Sequence, residues 1–356
     1  MKDYLRFKAG PAILSLIRDE GLAPQRVRVF AGPAGGPKWF VSVGFDRGLM
    51  QSHFFEKGQG RVLLAGSSAG AWRCLAMMCR DPLAAHEKLR MAYSRNVFTM
   101  ADTPGTIGDA LRKNVEAFVD DEDVPFILNH PVHDLLMHTV RSRGPAASER
   151  AGVQGAALLF AAAMNVFSSR AMDLMFQRVA FYAAPEEPEC LNHDFAGAWA
   201  PLTAENLRMA AVATGSLPYI VAGVSRIPAA PQGVYRDGGL LDYQLNQDYR
   251  PGDTGLTLFF HYQERIVPGW FDKKLSWRKP PAGSLDRVLQ VFPGPDFLKL
   301  LPDGRLPDRK DFEIFVNNPS ERFRRWDEIS RLSGILWEEF IESVESKSIR
   351  NLVSPL

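Results

Sequence analysis

The chain has 356 residues, 46% of them hydrophobic and 23% charged, which is the composition of an ordinary globular protein and argues against both disorder and a membrane span. Lys and Arg number 42 and Asp and Glu 41, for a net charge of +1, so no global field draws the chain to nucleic acid. Any attraction to a membrane has to come from local patches.

Three cysteines, Cys74, Cys79 and Cys190, are too few for a disulfide framework, and Cys74 and Cys79 are not spaced as a C-x-x-C pair. The N-terminus, MKDYLRFKAGPAILSLIRDEG, lacks a signal-peptide core and a small-x-small cleavage site. Together these predict a reducing compartment and cytoplasmic residence.

In chain order, a first helix is predicted over residues 10–20, opened by Gly10-Pro11 and closed near Gly21. Arg26–Phe30 alternates as a strand. A glycine-rich loop runs from Gly32 to Lys38. Trp39–Met50 then has helical character, with Pro37 near a first-turn position that tolerates proline. The apolar run Val62–Ala65 reads as a short buried strand. Gly66-Ser67-Ser68-Ala69-Gly70 follows it, and then helix-forming residues from Ala71 to Arg80. Strand, loop, helix, strand, sharp turn and helix in that order predict a parallel βαβ unit.

From Tyr93 to Leu191 the strand signal is weak, and a helical insertion is predicted over residues 95–205. Within it, Asp120-Asp121-Glu122-Asp123 reads as a solvated loop, because no ligand spacing supports calcium there. Ala151–Phe181 is rich in alanine and methionine and helical. Its run AGVQGAALLFAAAMNVF is apolar but short, and it carries Gln154 and Asn165, so a buried helix is expected rather than a span. Leu207–Ala213 reads as a helix leading into Thr214–Tyr219, Val234-Tyr235-Arg236 leads into Asp237-Gly238-Gly239, and Thr257–Tyr262 is a strong strand. A C-terminal helical segment is predicted over residues 320–348, with Trp326, Ile329, Leu336 and Phe340 near one face. With no repeat or linker, the expectation is one α/β domain over residues 1–356.

Three pieces carry chemistry. The first is the G-x-S-x-G turn. A sharp strand-to-helix turn needs small flanking residues, here Gly66, Ala69 and Gly70, and leaves the Ser68 hydroxyl exposed at its tip beside a helix N-terminus. The alternative is a glycine-rich turn with an idle serine. The second is Gly35-Gly36-Pro37-Lys38. Proline has no N–H, so Gly35, Gly36 and Lys38 are the candidate donors for an oxyanion. A Walker A phosphate loop is disfavoured, because Pro37 precedes Lys38 and Trp39 follows it. The third is Asp237 before Gly238-Gly239, either a base on a tight loop or a D-G hairpin turn. Partial burial would raise its pKa and make it a better proton acceptor.

The order of these three pieces resembles that of the patatin-like lipid acyl hydrolases. The family's oxyanion loop, Gly-Gly-x-Arg/Lys-Gly, is matched by Gly35-Gly36-Pro37-Lys38, with Trp39 in place of the last glycine. Ser68 matches its nucleophile and Asp237 its catalytic aspartate. Ala210–Pro218 is similar to the segment the family carries before a proline. The resemblance implies a three-layer α/β/α patatin-like fold. It also implies a Ser68–Asp237 dyad without histidine, and an oxyanion site from Gly35, Gly36 and Ala69 with Lys38 adding charge. An acyl-ester lipid is the implied substrate, with no metal and no cofactor.

Two rivals stay open. Ser68, Asp237 and His261 also follow the chain order of an α/β-hydrolase triad, though His261 reads as strand interior. Trp39 in the loop is compatible with a lipid-binding protein that has lost activity. The remaining histidines, His53, His86, His130, His133, His138 and His193, show no metal spacing. Finally, Trp270, Phe271, Lys273, Lys274 and Trp277 mix aromatics with cations. That mixture suits a peripheral membrane contact, or else a loop pinned to the core by its tryptophans.

Overall fold

The computed structural model describes residues 2–58, 60–187, 197–250 and 252–356. Cys190 and His193 lie outside the described residues. Among the described residues one mixed sheet joins eleven strands. These are β1 Leu5–Ala9, β2 Val27–Gly32, β3 Val62–Ser67, β4 His133–Ser142, β5 Phe176–Ala183, β6 Gly197–Pro201, β7 Val224–Ser225, β8 Val234–Asp237, β9 Leu256–Phe260, β10 Val288–Pro293 and β11 Val353–Pro355. The order across the sheet is β11-β1-β10-β9-β2-β3-β4-β5-β6. From β10 to β4 every neighbouring pair is parallel. Such strands are covered on both faces and read as continuous apolar runs, and every residue of β3, β9 and β10 is buried.

The helices are α1 Leu14–Glu20, α2 Val43–Gln51, α3 Ala69–Met77, α4 Pro82–Ser94, α5 Pro104–Phe118, α6 Asp123–Leu128, α7 Ala151–Phe167, α8 Leu207–Thr214, α9 Pro295–Leu298, α10 Lys310–Ile314, α11 Pro319–Leu332, α12 Gly334–Glu345 and α13 Ile349–Leu352. Residues of α2, α3, α4, α8, α11 and α12 join the largest apolar cluster on one face, with Phe30, Leu64, Leu258 and Leu289 of the sheet. On the other face α7 packs on Val140 and Phe176, and Leu245, Tyr249 and Ile266 from non-helical chain cover Val29, Leu63 and Phe259. The architecture is a three-layer α/β/α fold.

The helix that follows the serine turn is anchored from below. Arg73 on α3 donates from Nε and NH2 to the two carboxylate oxygens of Asp46 on α2, at 2.7 and 2.6 Å, with both side chains wholly buried. Burial alone would push the Asp46 carboxyl up, but Arg73 and His86 hold it below the ordinary carboxylate value.

The segment 95–205, expected to be a helical insertion, holds α5, α6 and α7 but also strands β4, β5 and β6. The longest of these, β4, lies inside the sheet between β3 and β5. Its sequence HDLLMHTVRS places two histidines and an aspartate at buried positions, so neither alternation nor an apolar run announces it. The C-terminal segment is two helices rather than one. The break falls at Ser333-Gly334, where Gly44 of α2 comes so close that a Cβ on it would stand 2.3 Å from Gly334 N.

The helical stretch expected over 151–181, with a buried helix along its first 17 residues, is also corrected: α7 ends at Phe167 and Phe176–Ala183 is strand β5. α7 buries Gln154, Ala157, Ala161 and Asn165 and turns Leu159, Phe160 and Phe167 outward. Among the described residues no helix is long and apolar enough to cross a membrane.

Candidate active site

Strand β4 sets the site. Its first half pairs with β3, ending at Ser67 opposite His138. Its second half pairs, on that same edge, with β8 running the opposite way, and Asp237 lies opposite Thr139. The C-terminal ends of β3 and β8 therefore meet head to head on successive residues of one strand. Ser68 follows the first end and Asp237 forms the second.

The expected sharp turn is present at Ser68, with φ 53° and ψ −128°. An L-residue rarely adopts this conformation, at a strain on the order of 1–3 kcal/mol. It is held in place by the Ser68 N–H, which donates to Thr214 Oγ1 at 2.9 Å. The Thr214 hydroxyl in turn donates to the His138 carbonyl at 2.6 Å. The glycines of the turn meet a second demand. A Cβ on Gly70 would stand 2.0 Å from the Gly32 carbonyl oxygen, and one on Gly66 would stand 2.9 Å from it. The end of β2 thus crosses the turn at backbone contact.

The Ser68 hydroxyl donates to Asp237 Oδ2 at 2.9 Å. Oδ1 accepts the Gly239 N–H at 2.8 Å. Gly238-Gly239-Leu240 is a 3-10 turn, not a hairpin loop. Gly238 has to be glycine because its Cβ would stand 2.1 Å from the His138 carbonyl oxygen. Ser68 is 5% and Asp237 3% exposed. Burial raises the Asp237 carboxyl above its ordinary value, against the opposing pull of the Arg309 guanidinium, the Gly239 N–H, the Ser68 hydroxyl and Lys273.

The glycine loop lies beside them. Gly36 has φ +56°, and with Pro37 it opens a 3-10 helix over Gly36–Ser42. Gly36 and Ala69 are each the first residue of a helix, where an N–H has no intrahelical acceptor. Gly35 lies against Tyr262, whose ring a Cβ would meet at 2.6 Å. The Tyr262 hydroxyl donates to the Ala34 carbonyl at 2.9 Å. Lys38 has a partner of its own. Its N–H donates to the Gly35 carbonyl at 3.4 Å, and its ammonium pairs with Asp308 at 2.7 Å. Trp39, where the loop lacks a glycine, is buried and stacks on Phe40 at 4.7 Å.

A cavity of about 250 Å³ opens at Ser68. Gly36 and Ala69 line it beside the serine, and Trp72, Leu111, Leu217, Val221 and Phe312 make it largely apolar. Arg309 lines it as well, half-buried. No hydrogen bond or ion pair among the described residues engages its guanidinium. A larger polar cleft, lined by Arg61, Asp134 and Arg250, holds neither Ser68 nor Asp237.

His261 is not brought to this site. It lies just past β9, its Nδ1 is engaged by the Gln263 backbone, and burial holds its imidazole down to about 3. The Ser68–Asp237–His261 arrangement is therefore not formed. His130 and His133 stack on each other at 4.9 Å, and His138 faces Asp242 at 3.7 Å. Among the described residues no group of three or more His, Cys, Asp or Glu is arranged to hold a metal.

The loop singled out for membrane contact is divided between the protein and its surface. Trp270 and Phe271 pack on buried clusters, and the Lys273 ammonium sits 4.2 Å over the Tyr243 ring. Lys273, Lys274 and Trp277 remain exposed.

Thr214, Arg309 and Tyr262 escaped the sequence reading. Thr214 stands inside the Ala210–Pro218 run, which carried a signal only through the resemblance. Arg309 lies in a charged stretch with no pattern, and its place beside Gly36 arises only on folding.

No family model and no curated protein matches the chain. Among solved structures the chain is similar to human GIVD cytosolic phospholipase A2, at a TM-score of 0.39 and 10% identity, over 95% of this chain and 63% of that chain. The chain thus spans less than two thirds of that protein's length.

Proposed function

We propose that the protein is a serine hydrolase that cleaves acyl esters of lipids through an acyl-enzyme, using Ser68 and Asp237 as a patatin-like dyad. The observation that carries this reading is the 2.9 Å hydrogen bond from a strained, cavity-facing Ser68 hydroxyl to Asp237. Asp237 takes the hydroxyl proton as Ser68 Oγ attacks the ester carbonyl carbon. The tetrahedral oxygen is held by the N–H groups of Gly36 and Ala69, with Gly35 behind them. The C–O bond to the alcohol then breaks, and the alcohol leaves with the proton from Asp237. Water, deprotonated by the same carboxylate, frees the fatty acid and restores Ser68. The raised pKa of Asp237 suits this shuttling. The apolar cavity takes the acyl chain, and Arg309 is the one cation among the described residues that line it.

A fluorophosphonate probe tests the reading. The folded chain is expected to be labelled at Ser68, with labelling lost in Ser68→Ala and ester turnover lost in Ser68→Ala and Asp237→Asn alike. A folded chain that resists the probe and turns over no ester ends the hydrolase reading and leaves a lipid-binding protein.

A further inference from the structure

α7 is inverted relative to a helix that faces water. Its inner face carries two amides and two alanines. The Gln154 amide donates to the Ser148 carbonyl at 2.8 Å and accepts the Tyr219 N–H at 2.7 Å. Asn165 donates to Asp272 Oδ1 at 2.7 Å. These bonds fix the rotation of the helix about its own axis. The outer face then presents Val153, Leu159, Phe160, Val166 and Phe167, with Leu159 75% and Phe167 86% exposed. None of its 17 residues is charged. An exposed apolar face of this kind marks a contact surface.

Two further observations say what covers it. The first is position. The Gln154 side chain holds the backbone of Tyr219, and the neighbouring Ile220, itself exposed, lines the cavity that contains Ser68. The apolar face thus starts beside the wall of that cavity. The second is charge. The stretch that packs against the far end of α7 carries Lys273, Lys274, Arg278 and Lys279 and no acid beyond Asp272. Asp272 is already matched by Asn165 and by Arg278 at 3.4 Å. Exposed Trp277 lies within this stretch. Aromatic and aliphatic side chains backed by lysines suit the boundary of an anionic lipid surface.

We infer that the outer face of α7, extended by Tyr219 and Ile220 at one end and by Lys274, Trp277 and Lys279 at the other, docks the protein on an anionic lipid surface. Delivery of substrate from that surface to Ser68 rests on the hydrolase reading, whereas the docking does not.

The test uses full-length Ser68→Ala protein, which removes turnover, and sedimentation with vesicles of phosphatidylcholine, with and without phosphatidylglycerol. Binding is expected to be at least about tenfold tighter to the anionic vesicles. The set Leu159→Ser, Phe160→Ser and Phe167→Ser, all exposed positions, is expected to lower that affinity by more than about tenfold with thermal unfolding unchanged. The pair Lys274→Glu and Lys279→Glu is expected to abolish the preference for anionic lipid. In protein that retains Ser68, the triple set leaves turnover of a water-soluble ester unchanged and lowers turnover of the same ester in vesicles. The inference is overturned if the parent does not sediment with anionic vesicles, or if the triple variant sediments equally well. It is also overturned if light scattering finds a dimer that the triple set dissociates. Vesicle binding without any ester turnover overturns the hydrolase reading and leaves the docking standing.

Discussion

A carboxylate buried beside a serine hydroxyl meets two opposed demands. Folding favours its neutral form and proton abstraction needs its charged form. The folded pKa of Asp237 lies above the ordinary aspartate value, so its contribution to stability is present below that ordinary value and lost as pH rises through the raised one. Asp237→Asn is therefore expected to be inactive yet more stable than the parent at pH 8. The gap in melting temperature should close as pH falls toward the ordinary aspartate range, and a denaturation series over pH checks this. The acid limb of kcat/KM, set by the same group, is expected above the range of a solvent-exposed aspartate. At this scale the site was legible where its chemistry is local. The serine turn and the Asp-Gly-Gly each need small residues beside the serine or the aspartate, and that need is written in consecutive letters. Thr214, which takes the Ser68 N–H, and Arg309, which stands at Gly36, reach the site only through tertiary contact. Lys38 lay in the right stretch but pairs with Asp308, 270 residues away in sequence.

Among the elements, backbone contact decides more than propensity does. Gly238→Ala would drive a methyl group to 2.1 Å from the His138 carbonyl oxygen, and Gly70→Ala to 2.0 Å from that of Gly32. Neither neighbour is a flexible side-chain end. Each substitution is expected to cost more than about 3 kcal/mol or to prevent folding. Gly152→Ala, on the open side of α7 with no atom within 4 Å, is expected to be neutral or to stabilise by up to about 1 kcal/mol. Urea unfolding of the three variants separates these outcomes. β2, β3 and β9 were legible, because run length and alternation survive in the sequence, whereas the apolar run of β10 was not singled out and β5 fell within a stretch expected to be helical. β4 was not legible, because a strand buried on both faces has no alternation and this one carries His133, Asp134, His138 and Arg141. The segment 151–167 was legible as a helix but not in its facing. An apolar run does not say whether it faces a core or a surface, and here Gln154 and Asn165 decide that by finding partners inside.

At the scale of the whole molecule, His130, His133, His138 and His261 are buried where their charged forms are disfavoured. Burial lowers His130 and His138 to about 4 and His133 and His261 to about 3. The unfolded chain takes up these protons near pH 6.5. Stability is therefore fully present above that pH and lost as pH falls toward the folded values. Chemical denaturation is expected to show a steep loss between pH 6.5 and about 4. His138→Asn and His261→Gln each should flatten that slope, and an unchanged slope in both would refute the account. The near-balance of 42 basic and 41 acidic residues gave no hint of this, since the groups concerned carry no charge when folded. The parallel centre of the sheet could be expected from the βαβ order near the N-terminus. The return of the C-terminal chain to the far edge, where β1 lies between β11 and β10, could not, because edge pairing leaves no local mark.

The shared edge of β4 has a consequence for how activity could be lost. β8 contributes four residues, and a slide of two along β4 keeps every side chain on its own face. Such a slip would carry Asp237 about 7 Å from Ser68 at roughly 3.4 Å per residue. Core and cavity would survive, and under the proposed function what remained would bind an acyl chain without cleaving its ester. Under the proposed function, hydrolysis and mere binding are separated by a two-residue slip of a single short strand.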